Sequence, residues 1–353
     1  MAARGRLLEL LCERVLSTRA AIGGKWPLDA DRRDGTWTTT ATPDWTWGLW
    51  VEALRLVGEH KKMPELREEA RARTLAQAEQ VDRHDVTRGA AFYYSAARLA
   101  CSGNDPEMKD MALDVARSVS DMVDDVTGAR PLGRDAGGSD KHALDTALTG
   151  TLLDWYATKA INDKDKTWVA GARRHLDFTI LDLLKPEMPE PQTGQGGSNF
   201  RSRRLALAAA GYYRAWETTR DRKYFDAGDR IVDYLWLNSG ADHMPPRDPA
   251  LSGPGAGPAD TAAAAIIASA VSRLVVLDLP PELVRRHAAR LGPILDSLAS
   301  HVTPVDSKDT RPHGMLVEAG SERSGAPPAA ETLIGNFYLL EALVCLDRRG
   351  LPC

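Results

Sequence analysis

Apolar residues recur at every third or fourth position along most of the chain, which is the spacing of a buried helix face. Four series show this spacing most clearly: Trp47, Trp50, Leu54 and Val57; Leu144, Leu148, Leu152 and Trp155; Leu205, Ala208, Tyr212 and Trp216; and Leu333, Phe337, Leu340 and Val344. Alternating β-branched runs bounded by turn residues do not occur, and residues 36–42 are too polar to be more than a loop. The pattern therefore predicts an all-α protein.

Helix-breaking residues divide this pattern into about twelve helices. The helices are expected near residues 3–19, 44–60, 65–82, 87–101, 105–124, 142–160, 165–184, 201–219, 222–238, 260–277, 281–301 and 329–347. Most links are short, which places consecutive helices antiparallel. Four links are longer and rich in Gly or Pro, at 131–140, 186–199, 245–258 and 306–329. Long irregular loops in a compact helical domain are usually functional or mobile.

A series of about twelve helices corresponds to six helix pairs, and such pairs can close into a ring. The Ala-rich faces at 206–210 and 262–265 suit helices that pack closely on the inside of a ring. An open superhelical solenoid is the alternative, but the chain shows no fixed repeat of about 30–40 residues. We therefore predict a single (α/α)6 toroid domain spanning residues 1–353.

The composition and charge of the chain argue against several classes of partner. The 353 residues include 43% hydrophobic residues, enough for a large core, and the net charge is −4 with acids and bases intermixed. The absence of a basic stripe argues against nucleic acid, and the absence of an apolar run of about 18 residues argues against a membrane. Charges at Glu9, Glu13 and Arg14 interrupt the first apolar run, so we expect an amphipathic helix, no signal peptide and a cytoplasmic protein.

The sequence contains no motif typical of a metal or cofactor site, so we expect neither. Cys12, Cys101, Cys345 and Cys353 lie far apart without a C-x-x-C pair, which predicts isolated thiols in a reducing compartment rather than a zinc site or a disulfide scaffold. No H-x-x-H or H-E-x-x-H spacing, G-x-S-x-G turn or phosphate-binding Gly loop occurs. The sequence leaves a monomer and a homodimer equally open.

Six short motifs occur in order between residues 37 and 347. They are WTWGLW at 45–50, His84-Asp85, Leu144-Asp145 followed by Leu152, Leu153 and Trp155, Arg203 followed by Gly211 and Tyr212, DTAAA at 260–264, and GNFYLLEAL at 335–343. Each is weak alone, but together they resemble the unsaturated glucuronyl hydrolases, glycoside hydrolase family 88, and more distantly the unsaturated rhamnogalacturonyl hydrolases.

The resemblance implies a glycosidase that hydrates the C4=C5 double bond of an unsaturated uronic acid. Its substrates would be di- or oligosaccharides released by a polysaccharide lyase. Such a reaction needs one carboxyl group that stays protonated near neutral pH, which a neighbouring carboxylate favours because two like charges do not both ionise cheaply in a shielded cleft. By resemblance Asp145 is the acid and base, and Asp85 is its partner. The residues implied to bind the substrate are Trp45, His84, His175, Gln195 and Arg203.

Each of these residues also has a purely structural interpretation. Asp85 precedes an apolar helix and can serve as its N-cap, and Asp145 can simply interact with the dipole of the helix it begins. His84 can be an ordinary hydrogen-bonded histidine. At least two of the tryptophans at 45, 47 and 50 are expected in the core, with Trp45 the one expected in the site. Arg203 can belong to a solvated face with Arg201 and Arg204.

Four departures from the family pattern bear on the substrate. The pattern H-D-x-G-F reads His84 to Arg88, and G-Q-A-W reads Arg204 to Leu207, which removes an aromatic residue. The loop at 193–196 has no histidine, and Asn336 replaces an aspartate. These departures keep open a second hypothesis, a non-catalytic or recruited toroid that binds a carbohydrate or natural product. Asp85 and Asp145 in one cleft would favour the enzyme, and divergent side chains would exclude it.

Overall fold

A computed structural model describes residues 2–136, 138, 141–162, 167–184, 201–250, 258–277, 281–319 and 330–351. This part of the chain contains fourteen α-helices. They are α1 (Ala2–Ile22), α2 (Trp47–Lys61), α3 (Pro64–Leu75), α4 (Arg88–Phe92), α5 (Arg98–Gly103), α6 (Pro106–Ser120), α7 (Thr146–Thr149), α8 (Leu152–Ala160), α9 (Thr167–Phe178), α10 (Ser202–Thr219), α11 (Arg222–Asn238), α12 (Thr261–Val276), α13 (Pro281–Ser300) and α14 (Leu333–Arg348).

The helices follow the apolar pattern, with two of the expected inner helices interrupted. A π-helical turn, Tyr93–Ala97, joins α4 to α5, and residues 150–151 separate α7 from α8. A second π-helical turn, Thr179–Leu184, continues α9, and 3₁₀ turns lie at Ala78–Asp82 and Arg134–Ala136. The predicted loop 186–199 lies outside the described residues.

The helices close into a ring of six hairpins. The inner helices are α2, α4 with its π turn, α7 with α8, α10, α12 and α14, and each packs against the next. The last of them, α14, packs against α2, which closes the ring and excludes an open solenoid. The outer helices α1, α3, α6, α9, α11 and α13 each cover an inner neighbour. The predicted (α/α)6 toroid is therefore confirmed.

Glycines let the inner helices approach backbone to backbone. A Cβ on Gly48 of α2 would lie 2.2 Å from the carbonyl oxygen of Ala91 in α4. A Cβ on Gly89 of α4 would lie 2.6 Å from the carbonyl oxygen of Thr149 in α7. On Gly211 of α10 it would lie 2.5 Å from the backbone of Ala147 in α7. Only a residue without a side chain permits these three contacts.

Buried ion pairs cross the centre of the ring. Arg98 is fully buried, and its Nη2 donates to Oε1 of Glu341 on α14 at 2.9 Å. The other oxygen of Glu341 accepts from Ser269 on α12 at 2.6 Å. A buried charge is tolerated only when it is paired and hydrogen-bonded, so this network constrains the relative positions of α5, α12 and α14.

A small antiparallel sheet corrects the expectation that the chain has no strands. Strands β1 (Trp26–Ala30), β2 (Trp37–Thr40) and β3 (Glu331–Thr332) pair in the order β2-β1-β3. Buried Arg14 on α1 binds both oxygens of Glu331 and donates to the carbonyl of Gly35. These tertiary contacts hold residues that are too polar to be recognised as strands from their own pattern.

One cysteine differs from the expected isolated thiols. Cys101 is disulfide-bonded, whereas Cys12 and Cys345 are free and buried. Burial raises the pKa of the Cys12 thiol to about 12, so this thiol is unreactive at neutral pH. Within the described residues, no helix has both the length and the apolar character needed to cross a membrane.

We expect Gly48→Ala to destabilise the ring. The added methyl group meets main-chain atoms of α4 that cannot rotate away, and overpacking of this kind costs about 1–3 kcal/mol in the free energy of unfolding. Urea unfolding followed by circular dichroism measures the loss. The matched control is Gly292→Ala in α13, where a Cβ has no neighbour within 4 Å. Equal stability of the two variants would show that the close contact is not limiting.

Candidate active site

One cleft opens where the N-terminal ends of the inner helices meet. It has a larger chamber of about 510 Å³ and a smaller one of about 170 Å³. Asp44, Trp45, Asp145 and Arg204 line both chambers, which makes the cleft continuous. We call it the mouth cleft. Asp44, Asp85 and Asp145, which lie just before α2, α4 and α7, all line this cleft.

Asp85 lines the larger chamber and also organises the turn that leads into α4. Its Oδ1 accepts from the main-chain N–H and the hydroxyl of Thr87, at 2.8 and 2.7 Å. The N-cap residue of α4 is Thr87, so Asp85 stabilises the turn before the helix and is not its N-cap. Oδ2 has no hydrogen-bond partner in the described part of the chain. Asp85 therefore combines a structural contact with an oxygen that remains for a ligand.

Asp145 lines both chambers and occupies the N-cap position of α7. Its side chain makes no capping hydrogen bond to the helix, although its carbonyl oxygen accepts from the N–H groups of Leu148 and Thr149. Because the helix beyond it packs against α4 and α10, its position is set by the ring. Asp85 and Asp145 thus share the larger chamber.

Of the three tryptophans in the WTWGLW motif, Trp45 is the half-buried one, and it lines both chambers. Trp47 and Trp50 are 3% and 1% exposed and belong to the core. Trp47 packs edge-on against Phe92 with ring centroids 5.2 Å apart, although its edge also reaches the larger chamber. Trp45 therefore has an aromatic face that is accessible from the cleft, whereas Trp47 and Trp50 are held in the core.

His84 is not among the residues that line the described walls of the mouth cleft. Its main-chain N–H donates to Oδ2 of Asp135 at 2.7 Å, and its ring Nδ1 accepts from the N–H of Arg134 at 3.2 Å. Its carbonyl accepts from the N–H of Asp135. His84 therefore holds the turn that carries Asp135 into the larger chamber.

His175 does not contact the cleft, which corrects its expected role in binding substrate. The ring is fully buried on α9. Its Nδ1 accepts from the N–H of Arg130 at 3.1 Å, so Nε2 carries the proton and donates to the carbonyl of Thr146 at 3.1 Å. Burial and the charge of Arg130 lower the pKa of His175 to about 3. The neutral ring supports the residue that follows Asp145.

Arg203 lines the smaller chamber but is committed to an ion pair. Its Nη2 donates to the two oxygens of Asp260 at 3.0 and 3.3 Å, and both residues are buried. Asp260 in turn caps α12 by accepting from Ala262 and Ala263. The solvated-face interpretation is therefore wrong for Arg203, whereas the adjacent Arg204 lines both chambers.

Three further cleft residues were missed by sequence reasoning. Asp44, Asp135 and Arg83 line the larger chamber. Asp44 repeats the local pattern of Asp85, since its Oδ1 accepts from the N–H and hydroxyl of Thr46 at 2.9 and 2.5 Å. The pattern Asp-x-Thr precedes both α2 and α4, and this repeat is the sequence feature from which Asp44 could have been predicted.

Gln195, which the sequence predicts to bind substrate, lies outside the described residues.

The described residues also locate two departures from the family pattern. Leu207, at the position of the missing aromatic residue, lines the smaller chamber. Asn336 does not line either chamber; its Oδ1 accepts from the N–H of Leu316 at 3.0 Å and its Nδ2 donates to Glu331 at 2.5 Å. The first change alters the cleft surface, whereas the second belongs to the packing of α14. No cluster of His, Cys, Asp or Glu suited to a metal ion occurs among the described residues.

Neither protein-family models nor curated protein sequences match this chain. Solved structures do match, over nearly its full length. The unsaturated glucuronyl hydrolase from Bacillus sp. GL1, described as responsible for the degradation of glycosaminoglycan, gives a TM-score of 0.77 at 19% identity, covering 98% of this chain and 96% of that one. An unsaturated glucuronyl hydrolase specific for heparin gives 0.77 at 20% identity, covering 98% and 97%.

A mutant of the unsaturated glucuronyl hydrolase from Streptococcus agalactiae, complexed with dGlcA-GalNAc6S, gives a TM-score of 0.74 at 16% identity. The match covers 97% of this chain and 90% of that one. The TM-scores establish the shared helical toroid. Because the identities are so low, the chemistry of the mouth cleft has to be argued from its own residues.

We expect His175→Gln to lower stability at pH 7 and to flatten its pH dependence. The folded protein keeps this ring neutral down to about pH 3, whereas the unfolded chain protonates it near 6.5. Between these values the unfolded state binds more protons, so the free energy of unfolding falls as pH falls. The variant should lose about 1.4 kcal/mol per pH unit of this slope near pH 5.

Urea unfolding at several pH values measures the slope. His313→Gln, which removes an exposed histidine, serves as the control. A slope in His175→Gln equal to that of the wild type would contradict the neutral, buried state of the ring.

Proposed function

We propose that this protein is a glycoside hydrolase of the unsaturated glucuronyl hydrolase type. It releases a 4,5-unsaturated uronic acid from di- or oligosaccharides that a polysaccharide lyase has produced. The observation that carries the proposal is the placement of Asp85 and Asp145 in one chamber, before neighbouring inner helices of the ring. Among the matched toroids are structures described as unsaturated glucuronyl hydrolases.

In the proposed reaction Asp145 donates a proton to C4 of the unsaturated ring. The cation that forms at C5 is stabilised by the ring oxygen. Water then adds at C5 and returns a proton to Asp145, which gives a hemiketal. The hemiketal opens and the glycosidic bond breaks. Asp85 supplies the second carboxylate that such acid and base catalysis requires.

Recognition of the uronic acid is assigned to Trp45 and Arg204. The accessible face of Trp45 can stack on the sugar ring, because it lies at the junction of the two chambers. Arg204 lies at the same junction and brings a fork of donors suited to a carboxylate. Arg203 is the weaker candidate because Asp260 already accepts its hydrogen bonds.

Arg83 adds a cation at the edge of the larger chamber. Its guanidinium donates to the side-chain oxygen of Gln80 at 2.8 Å and to the carbonyl of Asp135 at 3.2 Å. Both acceptors are uncharged, and in the described part of the chain Arg83 has no carboxylate partner. Arg83 and Arg204 are thus the cations that could meet the carboxylate of the sugar, in a chamber that Asp44, Asp85, Asp135 and Asp145 also line.

We expect Asp145→Asn and Asp85→Asn each to abolish turnover while the protein remains folded. The measurement is the decay of ultraviolet absorbance of the conjugated C4=C5 double bond, using a panel of unsaturated uronyl disaccharides. Loss of the acid and base should lower kcat by at least about 10²–10⁴-fold. Asp114→Asn, which changes an exposed aspartate on α6, is the control and should match the wild type.

Decay with the wild type and with Asp114→Asn, but not with the cleft variants, supports the hydration chemistry. Absence of decay on every member of the panel would instead favour a recruited or non-catalytic toroid. Full activity in Asp145→Asn would remove this residue from the mechanism.

We expect Trp45→Ala to weaken substrate binding with little loss of stability, because the ring is half-buried. Loss of one aromatic contact should raise KM by roughly three- to tenfold. Steady-state kinetics on the best disaccharide measures the change. Trp236→Ala is the matched control, since Trp236 is also partly buried but lies on outer helix α11, stacked on His243. An unchanged KM in Trp45→Ala would place the sugar elsewhere in the cleft.

A further inference from the structure

Asp44 is a third aspartate at the junction of the two chambers of the mouth cleft. It precedes Trp45 in the chain, and both residues line both chambers, as does Asp145. Asp44, Asp85 and Asp145 lie before three consecutive inner helices, α2, α4 and α7. The proposed hydration reaction uses only Asp85 and Asp145, so the carboxylate of Asp44 takes no part in its proton transfers.

The turn before α2 holds one oxygen of Asp44 and leaves the other for a ligand. Oδ1 accepts from the main-chain N–H and the hydroxyl of Thr46, at 2.9 and 2.5 Å. Among the described residues Oδ2 has no hydrogen-bond partner, and no cation lies within ion-pair distance of the carboxylate. The side chain is exposed to solvent. A ligand that binds Oδ2 restricts little further side-chain motion, because the turn already fixes the carboxylate.

The proposed substrate has few groups that match such an oxygen. An unsaturated uronic acid linked through C1 carries no hydroxyl at C4, and its carboxylate and ring oxygen only accept hydrogen bonds. Its remaining donors are the hydroxyls at C2 and C3. A carboxylate oxygen accepts hydrogen bonds and donates none. The C2 and C3 hydroxyls are therefore the groups of the ring that Asp44 could bind.

The neighbouring residues favour the same orientation of the sugar. A ring stacked on Trp45 extends its hydroxyls from its edge, into the space that Asp44 also lines. Arg204, at the same junction, is assigned to the carboxylate at C5. That carboxylate would be repelled by Asp44, whereas the C2 and C3 hydroxyls lie on the side of the ring away from C5.

We propose that Asp44 is a substrate-binding residue whose Oδ2 accepts a hydrogen bond from the vicinal C2 and C3 hydroxyls of the unsaturated uronic acid. The cleft then selects uronic acids in which these hydroxyls are unsubstituted. Hydrogen bonds to a charged acceptor are the strong ones, and a site built to bind a hydroxyl rejects the analogue that lacks it. The inference rests on the proposed function, because it takes the unsaturated uronic acid as the ligand.

Asp44→Asn tests this hydrogen bond without changing the shape of the side chain. The amide oxygen keeps both bonds from Thr46, and an amide nitrogen, which donates, replaces Oδ2, which accepts. Isothermal titration measures binding of an unsaturated uronyl disaccharide and of its 2-deoxy and 3-deoxy analogues. The titrations use Asp145→Asn and the double variant Asp44→Asn/Asp145→Asn, so that the sugar is not consumed.

We expect removal of at least one of the two hydroxyls to weaken binding to Asp145→Asn by about 10- to 100-fold. In the double variant the same removal should change the affinity by less than about threefold, because the acceptor is already lost. Such a cycle isolates the contact between side chain and hydroxyl from any general effect of the substitution. The ratios of kcat/KM with Asp145 intact should follow the same pattern.

Asp34→Asn is the matched control. Asp34 belongs to another Asp-x-Thr turn, in which its Oδ1 accepts from the N–H of Thr36 at 2.9 Å. It is exposed and is not among the residues that line the described walls of the mouth cleft. This variant should discriminate between the three sugars as its parent does. Circular dichroism checks folding, and Asp44→Ala, which keeps no acceptor, replaces Asp44→Asn if the latter does not fold.

An equal loss of affinity for all three sugars on changing Asp44 would show that this residue only shapes the turn, and would overturn the inference. Deoxy analogues that bind Asp145→Asn as tightly as the parent sugar, or no binding at millimolar sugar, would also overturn it. The proposed hydrolysis is judged separately, by whether the wild type consumes the C4=C5 chromophore. Binding that depends on Asp44 and on a hydroxyl, without turnover by the wild type, would support the inference and remove the proposed reaction.

Discussion

The close approach of the inner helices is the constraint on which the rest of this structure depends. At Gly48, Gly89 and Gly211 the main chain of one inner helix lies directly against the main chain of its neighbour. In the described part of the chain, buried side chains and ion pairs occupy the interior of the ring. The two largest cavities of the described chain lie toward the ends of the inner helices.

The two ends of the ring differ in chemistry, because one end carries the N-terminal ends of the inner helices and the other carries their C-terminal ends. At their N-terminal ends, Asp44 and Asp85 begin turns that lead into helices, and Asp145 stands at a helix N-cap, so carboxylates gather in the mouth cleft. At their C-terminal ends, Arg214 lines a second cavity together with Tyr93, Trp155 and Tyr156. Arg98 and Glu341 are buried within the ring, and their ion pair joins α5 to α14.

Residues behind the mouth cleft hold its lining residues in place through defined hydrogen bonds. His175 bonds to the carbonyl after Asp145, and His84 holds the turn that carries Asp135. Neither ring reaches the cleft, yet each keeps a carboxylate in place. Arg203 likewise joins two inner helices through Asp260 and leaves the accessible position to Arg204. The proposed mechanism depends on this support, because displacement of a reacting group by about 1 Å is enough to impair catalysis.

The sequence by itself determined the helices, since their apolar spacing is a local property that survives without knowledge of any neighbour. It also pointed to Asp85, Asp145 and Trp45 through short motifs. The tertiary structure alone decided which of two adjacent arginines lines both chambers of the cleft, that His175 is buried, and that residues 26–30 and 37–40 form strands. Those outcomes depend on partners far along the chain, such as Asp260, Thr146 and Glu331. Spacing within a segment carries no information about such partners.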